Sequence, residues 1–200
     1  MIDIVFPDNN EPAFIEMAEK LGYSELCFVY SKKQTLKEKT KLKIYSGLLC
    51  KNKVMKSDLT LIESNNRNIL KKKPNIIFNI EGTRDFIHQR DSGLDHVICK
   101  DMHKYNVAYA IPFSSILNSD DRERLIGRIM QNLKLCRKYK VPVVVASFAK
   151  SPFDMRNSKD LLSFCQTLGM HASEAKNALE RTEEIIKENL HPKKAVEKLD

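Results

Sequence analysis

The 200-residue sequence has no tryptophan, and its nine phenylalanines and six tyrosines bring the aromatic share to only 8%. A platform for single-stranded nucleic acid stacks successive bases on clustered rings, so this thin supply argues against one. Glycine is equally scarce, with six in the chain. Neither GxGxxG nor GxxxxGK[ST] occurs, which excludes the glycine-rich loops that cradle nucleotide phosphates. The five cysteines (Cys27, Cys50, Cys99, Cys136, Cys165) are odd in number and far apart, matching neither a disulfide framework nor a zinc site. They read as buried, reduced thiols. No stretch approaches the roughly 20 apolar residues that cross a bilayer. The start MIDIVFPDNN lacks the basic and apolar regions of a signal peptide. A soluble, cytoplasmic protein is expected. Its 42% apolar content is enough for one continuous core, so the reading is a single domain over residues 1–190 and a mobile tail at 191–200.

What the chain does have is concentrated positive charge. Residues 31–56 hold nine lysines (Lys32, Lys33, Lys37, Lys39, Lys41, Lys43, Lys51, Lys53, Lys56) against one acid, Glu38, so this segment accounts for the whole net charge of +8. A concentrated field of this kind suits electrostatic docking of a polyanion. A lysine-guarded edge strand would look the same.

Apolar periodicity places strands at residues 2–6, 26–30, 42–50, 59–63, 76–80, 84–88, 107–111 and 141–147. Helices are expected at 12–21, from Asn65 and Asn66 to Lys71, from Ser92 to Tyr105, from Asp120 to Tyr139, and at 158–168 and 172–188. Ser92 with Asp95, and Asp120 with Glu123, resemble capping boxes. The valine-rich run at 141–147 has the look of a parallel strand covered on both faces. About eight strands, the early ones poorly supplied with helices and the late ones well supplied, favour a β/α barrel, with a doubly wound sheet as the competing topology.

In a barrel, the loops from strand to helix form the functional rim. The segment TRDFIHQRDSGLDHVICK carries Arg84, His88 and Arg90 into a helix start, where free amides and guanidinium groups would bind phosphate. Lys150, Arg156 and Lys159 follow the valine-rich strand and should share that rim. Two basic loops beside a lysine-dense segment fit extended contact with the phosphates of a folded RNA. His96 is a lone helical histidine, and His103, His171 and His191 have no second ligand at metal spacing. The first strand offers no His-x-His pair to grip an ion. Asp3, as an inward carboxylate, could hold magnesium with Glu63 and Glu81, although the three acids are scattered over strands.

Three stretches, RDSGLDHVICKDMHKYNVAYAIPFSSIL, RKYKVPVVVAS and DMRNSKDLLSFCQTLGMHASEAKNAL, resemble the archaeal ribonuclease P protein component 3 family over roughly the last two thirds of the chain. The most specific piece is Ser92-Gly93-Leu94-Asp95-His96, followed by Asn106-Val107 and Phe113-Ser114. The resemblance implies a TIM-like β/α barrel trimmed of some helices and related to PHP-type metal-dependent phosphoesterases. It also implies a role as an RNA-binding subunit in removal of the 5′ leader from precursor tRNA, with catalysis in the RNA. Implied partners are ribonuclease P RNA, the ferredoxin-like component 2, the other ribonuclease P proteins and precursor tRNA, with no membrane. Mg2+ would serve the RNA-catalysed reaction, and no cofactor, catalytic residue or metal ligand is assigned to this chain. Matching positions make Arg84, Arg90, Lys100 and Arg156 expected RNA contacts, and the basic segments add Lys32, Lys33 and Lys150 to them. Asp91, Ser92 and Asp95 would set the loop and helix start. The alternative is a stand-alone metal-dependent phosphoesterase on the same barrel, which the missing His-x-His disfavours.

Overall fold

The computed structural model describes residues 1–34, 40–51, 53–81 and 91–192. Among these residues, seven parallel strands pair in chain order: β1 (Ile2–Val5), β2 (Glu25–Tyr30), β3 (Lys43–Leu49), β4 (Leu59–Ile62), β5 (Ile76–Ile77), β6 (Ala108–Pro112) and β7 (Val143–Ala146). The sheet closes where Val5 bridges Ala149 in parallel and the Phe6 amide donates to the Ala149 carbonyl at 2.8 Å. The architecture is a β/α barrel, and the doubly wound alternative is set aside. The strand expected at residues 84–88 lies outside the described residues, as do residues 193–200 of the tail.

Helix α1 (Glu11–Lys20) covers β1 and β2, burying Phe14 and Ala18 against Val5, Leu26 and Phe28. Among the described residues, only the four-residue α2 (Arg67–Leu70) follows before β5, and the outer face there is a thin layer of Leu48, Cys50 and Ile62. The later half carries α3 (His96–Tyr105), α4 (Phe113–Leu117), α5 (Arg122–Tyr139), α6 (Ser158–Thr167) and α7 (Ala172–Leu190). The trimming of early helices follows the sequence pattern. Short α4 was not anticipated, and β5 stops two residues in because Asn79 turns left-handed at φ 50°.

Parallel strands bury both faces. Along β7, Val144 and Ala146 fill the barrel while Val145 packs outward under the helices. On β1, Ile2 and Ile4 point inward, so Asp3 points outward, the opposite of the expectation. It is fully buried, and its carboxylate accepts from the Ser147 amide at 2.7 Å and the Ser147 hydroxyl at 2.6 Å, stitching the β1–β7 seam. At the N-terminal end, Ile185 and Ile186 of α7 join the interior cluster. Nearby, the Asn189 amide donates to the Asp58 carbonyl at 2.8 Å and to Asn75 at 3.0 Å. All five cysteines are buried thiols, and burial pushes Cys99 up to about 11 and Cys165 up to about 12, away from thiolate chemistry.

The opposite end, where barrel enzymes hold their catalytic groups, is filled by aromatic rings. Phe6, Phe78 and Phe148 follow β1, β5 and β7, with centroids 5.2 to 6.1 Å apart. Phe148 sits in the left-handed region at φ 52°, a conformation that a bulky side chain adopts only when its surroundings enforce it. Ser114 supplies the constraint. Its hydroxyl donates to the Phe148 carbonyl at 2.7 Å and its amide to the Ser147 carbonyl at 2.9 Å.

Candidate nucleic-acid interface

Because all strands run the same way, the segments after their C-terminal ends meet on one rim. Lys32 and Lys33 follow β2, Lys51 follows β3 and Lys150 follows β7, all exposed. The phenylalanine-filled mouth lies at the same end, so this end of the barrel combines an apolar floor with exposed cations after β2, β3 and β7. Lys159, in the first turn of α6, is also exposed. Arg84 and Arg90 lie outside the described residues.

Arg156 has a different occupation. Its Nη1 donates to the Phe153 carbonyl at 2.9 Å and the Met155 carbonyl at 2.7 Å, and its guanidinium lies over the Phe113 ring at 5.4 Å. Its own carbonyl accepts from the Tyr23 hydroxyl at 2.6 Å. This arginine braces the loop after β7.

Lys100 is exposed on the flank of α3, not on the rim. Around it lies a second basic surface that sequence reading passed over: Arg67 with Lys71, Lys72 and Lys73 from the end of α2, and Lys104 one turn beyond Lys100. The Arg67 Nε donates to Asp101 at 2.6 Å, holding that carboxyl below the usual range, with Lys104 and Lys71 acting in the same direction. The signal was available as an uninterrupted triple lysine.

The loop into α3 shows what the most specific motif does. The helix begins at His96, with Asp95 as its cap: one carboxylate oxygen accepts from the Val97 amide at 2.8 Å and the Ile98 amide at 2.7 Å. Ser92 is not the cap, and similarly Asp121, not Asp120, caps α5. The expected phosphate cradle at this helix start is therefore satisfied from within, since Asp95 takes up two first-turn donors. Asp95→Ala is expected to lower stability by about 1 kcal/mol, read as a shift in urea midpoint. An unchanged midpoint would show that solvent caps the helix equally well.

Upstream, the Asp91 carboxylate accepts from the Gly93 amide at 2.9 Å, and the Gly93 carbonyl accepts from the Asn65 side chain at 2.7 Å. The buried Asn132 of α5 donates to the Ser92 carbonyl at 2.7 Å and to Glu81 at 3.2 Å. Tyr109 donates its hydroxyl to the same Glu81 oxygen. Burial raises the Glu81 carboxyl above its ordinary range, and the bonds from Tyr109 and Asn132 partly offset this. Neither Glu81, Tyr109 nor Asn132 was singled out as a loop anchor from the sequence. Asn106, also in the motif, is the left-handed cap of α3 at φ 54° and accepts from Arg181 at 3.3 Å.

Asp3, Glu63 and Glu81 do not converge. Asp3 serves the seam, Glu63 is exposed and accepts from Asn79 at 2.8 Å, and Glu81 belongs to the loop anchor. Among the described residues, no three His, Cys, Asp or Glu side chains gather as metal ligands. No helix among them is long and apolar enough to cross a membrane.

Residues 83–194 match the model of the family described as RNase P subunit p30. Relatives include ribonuclease P protein component 3 of Methanothermobacter thermautotrophicus, 31% identical over 106 residues, covering 52% of this chain and 43% of the relative. The Methanocaldococcus jannaschii protein of the same name is 29% identical over 159 residues, covering 70% and 66%. The matched stretches thus span from under half to two thirds of these relatives' lengths. In a cryo-EM structure of archaeal ribonuclease P with mature tRNA, one chain superimposes with a TM-score of 0.73 and 26% identity, covering 94% of this chain and 91% of that one. The matched region takes in the braced loop before α3, the serine that fixes Phe148 and the basic turn after β7, and the chain belongs to the RNase P subunit p30 family.

Proposed function

We propose that the chain is an RNA-binding protein subunit of ribonuclease P, supporting RNA-catalysed endonucleolytic removal of the 5′ leader from precursor tRNA. The observation that carries this reading is the likeness, over nearly the whole chain, to a protein of archaeal ribonuclease P with tRNA. The barrel supports it: phenylalanines fill the end where a hydrolase would bind substrate, and exposed lysines follow β2, β3 and β7 at that end. Lysines act as point charges toward phosphate, giving affinity and orientation without base readout. This mouth weighs against the stand-alone phosphoesterase. Magnesium belongs to the RNA-catalysed reaction in this reading, and no step is derived through an ion on this chain. The expected partners are ribonuclease P RNA, component 2, the other protein subunits and, within the assembly, precursor tRNA, in the cytoplasm.

The test is cleavage of 5′-extended tRNA by reconstituted ribonuclease P with the chain, without it, and with Lys32, Lys33 and Lys150 all changed to Glu. Omission should remove most of the protein-stimulated activity, and the triple variant should weaken it. In RNA binding, the slope of log affinity against log salt should flatten by about 2 to 3 in the variant, because about one fewer counterion is released for each lost phosphate contact. Full activity without the chain would overturn the subunit reading.

A further inference from the structure

We propose that Phe153 is a stacking platform for one unpaired nucleobase of the RNA that the rim binds, an inference that rests on the ribonuclease P reading. Among the described residues, Phe153 is 79% exposed, far above the other exposed large apolar side chains: Met55 at 48%, Leu190 at 45% and Met130 at 36%. A phenylalanine left in water is unfavourable, yet the backbone fixes this one there. It occupies a single 3-10 turn, Pro152–Asp154, capped by the Ser151 hydroxyl, which accepts from the Phe153 amide at 3.4 Å. The Asp154 amide donates to the Ser151 carbonyl at 2.9 Å, and the Phe153 carbonyl takes the Arg156 guanidinium at 2.9 Å. Arg156 is in turn stacked on Phe113. The ring is therefore presented by a turn braced from both sides.

Its surroundings distinguish the kind of partner. A protein-docking surface has a continuous apolar centre, whereas the exposed side chains that flank this turn along the chain are Lys150, Ser158 and Lys159, and α1 packs against the turn from the other side. Acids of the loop and of α1 have partners: Asp154 with the Asn118 amide at 3.5 Å, Asp160 with the Asn157 amide at 2.8 Å, Glu11 with the Tyr30 hydroxyl at 2.9 Å and Glu16 with Lys20 at 2.6 Å. An isolated ring beside two lysines matches a base lying on the ring with its flanking phosphates at the ammonium groups, an arrangement that tolerates any base because every base has a π face. The scarcity of aromatics rules out a track of stacked bases but not one anchored base.

Because the chain has no tryptophan, Phe153→Trp places a single fluorescent reporter at the site without disturbing the core. With the ribonuclease P RNA as probe at fixed salt, its emission should be quenched on binding, since the indole ring keeps a π face for the base. Phe153→Ala and Phe153→Leu should both bind about fivefold to a hundredfold more weakly. The leucine variant separates π stacking from apolar contact. If Leu binds RNA as well as Phe, and the tryptophan ignores RNA but shifts to the blue when component 2 is added, the ring docks on protein and the proposal is overturned. If the wild-type chain itself fails to bind the RNA, the subunit reading falls and stacking falls with it. Equal RNA binding by the wild type and Phe153→Ala, with no quenching of the tryptophan variant, sinks stacking alone.

Discussion

Gly93→Ala is expected to cost at least about 4 kcal/mol of stability, enough to leave much of the chain unfolded at moderate temperature. Two independent constraints act at this position. The residue adopts φ +84°, which L side chains avoid, and a β-carbon built there would lie 1.9 Å from the Ile80 carbonyl oxygen and 2.6 Å from its carbon. The obstacle is backbone at the end of the β5 segment, not the movable tip of a side chain. Relief would require moving the loop away from Ile80. That would also pull the Ser92 carbonyl off Asn132 and the Gly93 carbonyl off Asn65. Urea unfolding of the isolated chain measures the effect. A loss under 1 kcal/mol would mean that the loop adapts, which the bonds on either side of Gly93 oppose. Gly22 provides the control, having a positive φ of 79° but open space around it, so Gly22→Ala should carry only the conformational penalty.

Asp3→Asn is expected to stabilise the protein at neutral pH, and by an amount that depends on pH. Burial raises the Asp3 carboxyl from 3.8 to about 6, against the opposing pull of its bonds from Ser147 and Ile4. A carboxyl whose pKa is higher in the folded state binds its proton more tightly there, so acid favours folding through this group. The contribution is fully present below about pH 4 and is lost as pH rises through about 6, a swing of about 3 kcal/mol. Asparagine resembles the protonated acid at every pH. Its oxygen can accept from the Ser147 and Ile4 amides, and its amide can donate to the Ser147 hydroxyl, which can turn to the Ile4 carbonyl 3.4 Å away. The variant should match the wild type near pH 4 and exceed it by up to about 3 kcal/mol at pH 7.5. A stability difference that does not vary over this interval would show that Asp3 is charged in the fold throughout it, with no raised pKa.

The strand order and the uneven distribution of helices were legible because they depend on local pattern: the valine run of β7, the apolar stripe of α5 and the lack of helical spacing between β2 and β4. The orientation of Asp3 was not. In a strand buried on both faces, alternation separates two sets of residues without saying which set lies inside, and a lone acid in IDIV was read as facing the barrel. The loop anchor was hidden for a different reason. Asn132 is one amide in a helical stripe, and its partners Glu81, Ser92 and Tyr109 lie 51, 40 and 23 residues away, so only the closed fold brings them together. Asp91, Ser92 and Asp95 were expected to set the loop and helix start, and the structure gives each a backbone contact there, with Asp95 in the capping place first assigned to Ser92. The family motif was legible as a signature before its purpose was. Its residues hold backbone in place, while the exposed cations lie mainly outside it.

The phenylalanine-filled mouth bears on what this scaffold could be made to do. Phe78 and Phe148 are buried and Phe6 partly so: truncating either buried ring leaves a void lined by its neighbours, at about 3 to 5 kcal/mol, before any polar group could use the space. Natural domains hold about 5 to 15 kcal/mol in total. A designer wishing to install a hydrolytic centre here would meet that barrier at either buried ring, and would have to exchange the packed positions together. The closure therefore acts as a ratchet, and new chemistry on this barrel is more accessible along its exposed rim loops, where residues such as Phe153 can change without opening the interior.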